Sequence, residues 1–315
     1  MKIVLLDRRS LGTDLPLAPL ERFAEPVVYE TTSPVEAPER LVEAEVLVIN
    51  KFRMTEAMFA AAPKLRLICE FATGFDNIDL AAARRRGVAV CNVPAYSTES
   101  VALFTAATAL ALVTHLGEYR RFTASGAYTA AGEANRLEPV YHELTGKTWG
   151  VLGCGAIGGR VAQIARALGM EILVHQRREH PLYPTVSLDE LCVKSDILSI
   201  HCPLNESTRG LLDARRLALM KPTAILINEA RGAVTDEAAV AEAILSGGIA
   251  GFGSDVYASE PFGREHPFQR IKDRDNVILT PHTAWSAYEA RVRCLDVIVG
   301  NIEDFLAGGT RNRVD

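Results

Sequence analysis

Residues 148–178 read TWGVLGCGAIGGRVAQIARALGMEILVHQRR, and the order of the parts decides the fold. Residues 149–152 are a short apolar run of buried-strand length. Gly153-Cys154-Gly155-Ala156-Ile157-Gly158 follows, a G-x-G-x-x-G turn, and after it Val161, Ile164, Ala165 and Leu168 recur at helical spacing. Gly169 stops that helix, and residues 171–174 read as a second strand. Strand, glycine turn, helix, strand is the context that gives this motif its meaning.

Each glycine has a physical task there. Gly153 permits the tight turn, Gly155 lets a pyrophosphate approach bare backbone, and Gly158 lets the helix pack closely on the strand. The helix N-terminus, at Ala156, Ile157 and Gly158, offers free N–H groups and a positive dipole end to phosphates. A dinucleotide is the expected guest. Where such a unit usually places an acid for the ribose hydroxyls, this chain has Gln176, then Arg177 and Arg178. A neutral amide beside two guanidiniums suits a ribose 2′-phosphate, so NADP is expected in preference to NAD.

The rest of the chain repeats the strand–helix rhythm. Apolar runs lie at residues 2–7, 27–29, 46–50, 65–71 and 88–92, with helical patterns around 38–43, 55–61 and 80–86. After the glycine turn, runs recur at 196–201, 224–228, 249–255 and 276–280. This alternation predicts an α/β protein built on doubly wound parallel sheets. Residues 99–115 form a helix that is small and apolar on most faces, buried in the core or against another subunit. Residues 122–143 read as loop. Ser187 with Glu190 is a capping box; Thr235-Asp236-Glu237 starts another helix, and residues 286–306 form the last.

At 315 residues two domains are expected, and 48% apolar with 23% charged residues describes an ordinary globular chain. A net charge of −5 argues against nucleic-acid or anionic-membrane partners. Nothing approaches the apolar length of a membrane helix, and the N-terminus meets charge too early for a signal peptide. Cys69, Cys91, Cys154, Cys192, Cys202 and Cys294 are scattered, without metal-like spacing. The expectation is a cytoplasmic, reduced, metal-free protein.

Parallel sheets bind ligands at the C-terminal ends of their strands. Three polar residues leave that edge: Arg231 after the run 224–228, Glu260 after 249–255, and His282 after 276–280. Together they suffice for hydride chemistry on a 2-keto acid. The arginine binds carboxylate and polarises the carbonyl, the histidine supplies a proton, and the glutamate orients the histidine. Residues 71–76 leave another such edge, with loop amides able to grip a small anion.

These pieces carry a resemblance. ATGFDNIDL, NVPAYSTESVA, GKTWGVLGCGAIG, HCPLNESTRGLL, MKPTAILINEARG, SDVYASEP and ILTPHTAW together resemble the D-isomer-specific 2-hydroxyacid dehydrogenase family over essentially the whole length. Two of them, PAYSTESVA and PHTAWSAYEAR, are most similar to its glycerate dehydrogenase / hydroxypyruvate reductase branch. The resemblance implies that Arg231, Glu260 and His282 are catalytic and that Ala72, Thr73 and Gly74, with Arg231, bind the substrate carboxylate. It extends the cofactor set to Pro203, Thr208, Glu229, Ala230, Arg231, Asp255 and His282. It further implies a flavodoxin-like substrate domain (1–98 and 286–315), a Rossmann nucleotide domain (99–285), a cleft between them, and a homodimer formed through the latter. The implied reaction is reduction of hydroxypyruvate or glyoxylate with NAD(P)H. Two rivals stay open: a dehydrogenase of the same fold acting on lactate, formate or phosphite, and a nucleotide-sensing binding protein without turnover. Glu229 departs from the family pattern, where a small or hydroxylated residue is commoner.

Overall fold

Eleven short strands, each an apolar run of the sequence, form two all-parallel sheets in the computed structural model, which describes residues 1–315. The chain divides into two compact units, Met1–Ser97 with Ser286–Asp315, and Thr98–Trp285.

The first unit holds β1 (Ile3–Leu5), β2 (Val27–Val28), β3 (Val46–Ile49), β4 (Leu67–Glu70) and β5 (Ala89–Cys91), in the order β2-β1-β3-β4-β5. All but β2 are buried at every position, the burial expected of a parallel sheet covered on both faces. Its helices are α1 (Ala18–Glu21), α2 (Ala37–Leu41), α3 (Glu56–Ala60) and α4 (Leu80–Arg86). Asp79 caps α4 through the Ala82 amide, and Gly87 ends it in the left-handed conformation.

The second unit opens with α5 (Thr98–Val113), α6 (Leu116–Ala124) and α7 (Ala127–Ala131). Its sheet comprises β6 (Thr148–Leu152), β7 (Glu171–His175), β8 (Ile197–Ile200), β9 (Ile225–Asn228), β10 (Gly251–Ser254) and β11 (Val277–Leu279). The spatial order is β11-β10-β9-β8-β6-β7, and an isolated parallel bridge from Val174 to Thr185 continues the sheet beyond β7. The order therefore reverses between β6 and β8, the switch point at which doubly wound sheets bind ligands. Between and beyond these strands lie α8 (Ala156–Ala167), α9 (Leu188–Lys194), α10 (Ala214–Leu217) and α11 (Glu237–Leu245). The last helix, α12 (Tyr288–Leu306), returns to the first unit. No single helix is long and apolar enough to cross a membrane.

Two local expectations need correction. Residues 122–143 are not all loop: α6 runs through Ala124 and α7 follows it. Neither helix buries any residue, so neither carries the apolar periodicity that marks a helix in sequence. The Ser187–Glu190 box is half formed. Ser187 accepts from the Glu190 amide, but the Glu190 carboxylate pairs with Lys194 one turn on.

Candidate active site

Because every strand of the second sheet is parallel, the segments following β6 to β11 all emerge on one edge. The glycine turn stands at the switch point. A Cβ at Gly153 would lie 2.8 Å from the backbone nitrogen of Cys202, just after β8, and one at Gly158 would lie 2.2 Å from the Gly153 carbonyl oxygen. Those two glycines are required by the protein's own packing. At Gly155 a Cβ would meet nothing within 4 Å, so this backbone faces open space. Gly155 caps α8 without a side-chain hydrogen bond, leaving the first-turn amides of Ala156, Ile157 and Gly158 for a ligand. A pyrophosphate fits this cradle.

Gln176 follows β7 at once and is half-buried; Arg177 and Arg178 are exposed and engaged by no carboxylate. Pro203 is exposed in the loop after β8, and Thr208 shapes that loop by donating to the Pro203 carbonyl (2.7 Å) and accepting from the Asn205 amide (2.8 Å). Histidines nearby are otherwise occupied. His175 Nδ1 lies 2.9 Å from the Val186 carbonyl, and burial pulls His201 down to about 3, leaving it neutral.

The three candidate catalytic residues leave β9, β10 and β11. His282 Nδ1 and Glu260 Oε2 are 2.6 Å apart, which fixes the tautomer with Nδ1–H toward the carboxylate and leaves Nε2 for exchange. Glu260 is itself held, its Oε1 accepting from the Tyr257 amide (3.1 Å). His282 has a φ of 53°, a left-handed conformation that few non-glycine residues adopt. Asp255 imposes it. Its Oδ1 accepts from the Thr280 hydroxyl (2.6 Å) and the Thr283 amide (2.8 Å), and its Oδ2 from the Ala284 amide (2.7 Å). Trp285 Nε1 closes the turn by donating to the His282 carbonyl (3.0 Å).

Arg231 lies on a turn fixed by Asn228, whose side chain accepts from the Ala230 amide and donates to the Arg231 carbonyl. Gly232 lets this turn pack against the Glu260 loop, because a Cβ there would stand 2.1 Å from the carbonyl carbon of Tyr257. Glu237 supports the Glu260 loop from another side. Its carboxylate accepts from the Ala258 amide (2.8 Å) and faces His266 Nε2 (2.9 Å). The His266 ring is edge-on to Phe268 and lies 4.8 Å from the ring of Phe262.

In the first unit the carbonyl of Ala72 accepts from the Val93 amide, and that of Thr73 from Asn92. The amides of Ala72, Thr73 and Gly74 are left over by the chain's own hydrogen bonding. Three consecutive free amides suit a small anion.

Two expected cofactor residues point elsewhere. Asp255 is 1% exposed and its carboxylate is consumed by the histidine loop. Glu229 turns inward, toward Thr105 and Thr108 of α5. Both stand at strand ends, where a polar residue usually faces the ligand edge, and the sequence does not say which way such a side chain turns. Glu237 and His266 escaped sequence reading because neither belongs to a motif, and Glu237 reads as an ordinary first-turn acid.

Residues 106–284, more than half of the chain, match the family model described as D-isomer specific 2-hydroxyacid dehydrogenase, NAD binding domain. The chain is 34% identical over 324 residues to a hydroxypyruvate reductase of Blautia hydrogenotrophica, covering 100% of both chains. It is 35% identical over 318 residues to a glycerate dehydrogenase of Methylorubrum extorquens, covering 100% of this chain and 99% of the relative. The structure of an Aquifex aeolicus D-lactate dehydrogenase with NAD and lactic acid superposes with a TM-score of 0.86 at 29% identity, covering 98% and 96% of the two chains.

Proposed function

The chain belongs to the D-isomer-specific 2-hydroxyacid dehydrogenase family, and we propose that it reduces a short 2-keto acid, hydroxypyruvate or glyoxylate first, to the D-2-hydroxy acid with NADPH preferred. The observation that carries this reading is the 2.6 Å pairing of Glu260 with His282 on the strand edge that also carries Arg231.

Reduction adds a hydride to the carbonyl carbon and a proton to its oxygen. The reduced nicotinamide cofactor, when bound, supplies the hydride. The amides of Ala156, Ile157 and Gly158 would hold its pyrophosphate, with Gln176, Arg177 and Arg178 at the ribose 2′-phosphate. Protonated His282 gives the proton from Nε2, while Glu260 holds the ring by Nδ1. Arg231 binds the carboxylate and stabilises charge growing on the carbonyl oxygen. In the first unit, the amides of Ala72, Thr73 and Gly74 left over by the chain's own hydrogen bonding suit a small anion such as a carboxylate.

A homodimer forms, in this reading, through the α5–α7 face of the second unit. α6 buries none of its residues within the chain, and Leu103, Leu116, Leu137, Val140 and Tyr141 stand exposed, Leu137 at 77%. Apolar side chains gathered on one segment suit a self-complementary interface.

Initial rates with a panel of short 2-keto acids, each offered with NADH and NADPH, test the proposal. Turnover of hydroxypyruvate or glyoxylate, faster with NADPH, is expected. A protein that binds the cofactor but turns over none of the panel contradicts it.

A further inference from the structure

Glu229 follows β9 directly, two residues before Arg231, yet it is only 8% exposed. Its Oε2 lies 3.1 Å from Thr105 Oγ1 and its Oε1 3.2 Å from Thr108 Oγ1, two hydroxyls three residues apart on one face of α5. Its surroundings oppose a charge, for no cationic side chain pairs with it. Thr105 Oγ1 has one hydrogen and lies 2.8 Å from the Val101 carbonyl, which can only accept. That hydrogen has two acceptors in reach, Val101 in the back-bond common for a helical threonine and the Glu229 carboxyl. With that back-bond made, the carboxyl donates to Thr105 as a neutral acid. Thr108, with its own hydrogen available, donates to the other oxygen. Every polar atom of the neutral form is satisfied, whereas an ionised carboxylate would rest its charge on two hydroxyls alone in a buried place.

The charged neighbour is Asp255, at the end of β10, while α5 presents the two threonines. Burial first, and Asp255 second, push the Glu229 carboxyl up to about 8.

We propose that Glu229 is a positioning residue held as a neutral acid. It ties the turn carrying Arg231 to α5 and keeps a second negative charge from the Asp255 carboxylate that holds the His282 loop. Ionisation sets two anions side by side in a buried place. Arg231 and His282 then lose their fixed turns together.

Glu229→Gln is the neutral isostere: its amide donates to Thr105 and its oxygen accepts from Thr108. Thermal midpoints of the ligand-free protein, wild type and Glu229→Gln, are to be compared across pH. The folded carboxyl keeps its proton to a higher pH than the unfolded chain does, so the folded state binds more protons between about 4.5 and about 8. Wild-type stability therefore falls through that window relative to the variant and runs parallel to it above. The variant's advantage grows from pH 4.5 to 8 and then levels. A difference constant with pH, one of opposite sign, or a Gln variant that does not fold overturns the assignment.

The kinetic arm rests on the proposed reaction and uses its oxidation direction, with D-glycerate, where deprotonation of His282 favours turnover. Wild-type kcat/KM should fall about tenfold per pH unit beyond the Glu229 ionisation, and Glu229→Gln should not show that fall. A Gln variant that loses tenfold or more at pH 7, or keeps the wild-type alkaline limb, removes the positioning role. Absence of turnover in both proteins counts against the proposed substrate, while the thermal measurement still decides the state of Glu229.

Discussion

Glu260 is held by Tyr257 on one oxygen and by His282 on the other, so its replacement has a definite consequence. In Glu260→Gln the side-chain oxygen keeps the Tyr257 amide, and the amide group turns to Nδ1, which must then accept. A ring locked that way cannot be the imidazolium. Reduction should slow by about 10²-fold or more, with cofactor affinity unchanged in a fluorescence titration. Equal kcat in variant and wild type would remove Glu260 from the mechanism. Gln176 is the proposed source of the cofactor preference. With Arg177 and Arg178 exposed and screened, NADPH should be favoured about tenfold in kcat/KM, or about 1.4 kcal/mol, and less as salt rises. Gln176→Asp with both arginines changed to alanine should reverse the ratio, and a wild type preferring NADH would contradict this reading. Arg231, Glu260 and His282 were legible because each follows an apolar run. The inward turn of Asp255 and Glu229 was not, since partners on other strands and on α5 decide it.

At the scale of elements, the glycine turn separates packing from binding. Gly158→Ala drives a Cβ to 2.2 Å from the Gly153 carbonyl and should cost about 1–3 kcal/mol of stability, read by chemical denaturation. Gly155→Ala meets nothing and should leave the denaturation midpoint within about 0.5 kcal/mol of wild type while weakening cofactor binding at least tenfold. Loss of stability in Gly155→Ala, or unchanged cofactor affinity, would show that the open backbone is not the pyrophosphate site. The strands and most helices announced themselves by apolar runs and caps. α6 and α7 did not, because helices that bury nothing within the chain write no stripe into the sequence.

For the whole molecule, the dimer proposed through the exposed α5–α7 face has a direct test. Light scattering at micromolar concentration should give twice the 34.2 kDa chain mass, and Leu137→Asp with Tyr141→Asp should halve it. A monomeric wild type would assign those side chains some other use. The central claim is that His282 is the proton donor in reduction of a short 2-keto acid. The most direct test is the initial rate of NADPH oxidation with hydroxypyruvate by wild type and His282→Ala, with cofactor affinity measured on both. Wild type should form D-glycerate, and the variant should bind cofactor as before with kcat lower by about 10²–10⁴-fold. A His282→Ala protein that reduces hydroxypyruvate at the wild-type rate would contradict the claim.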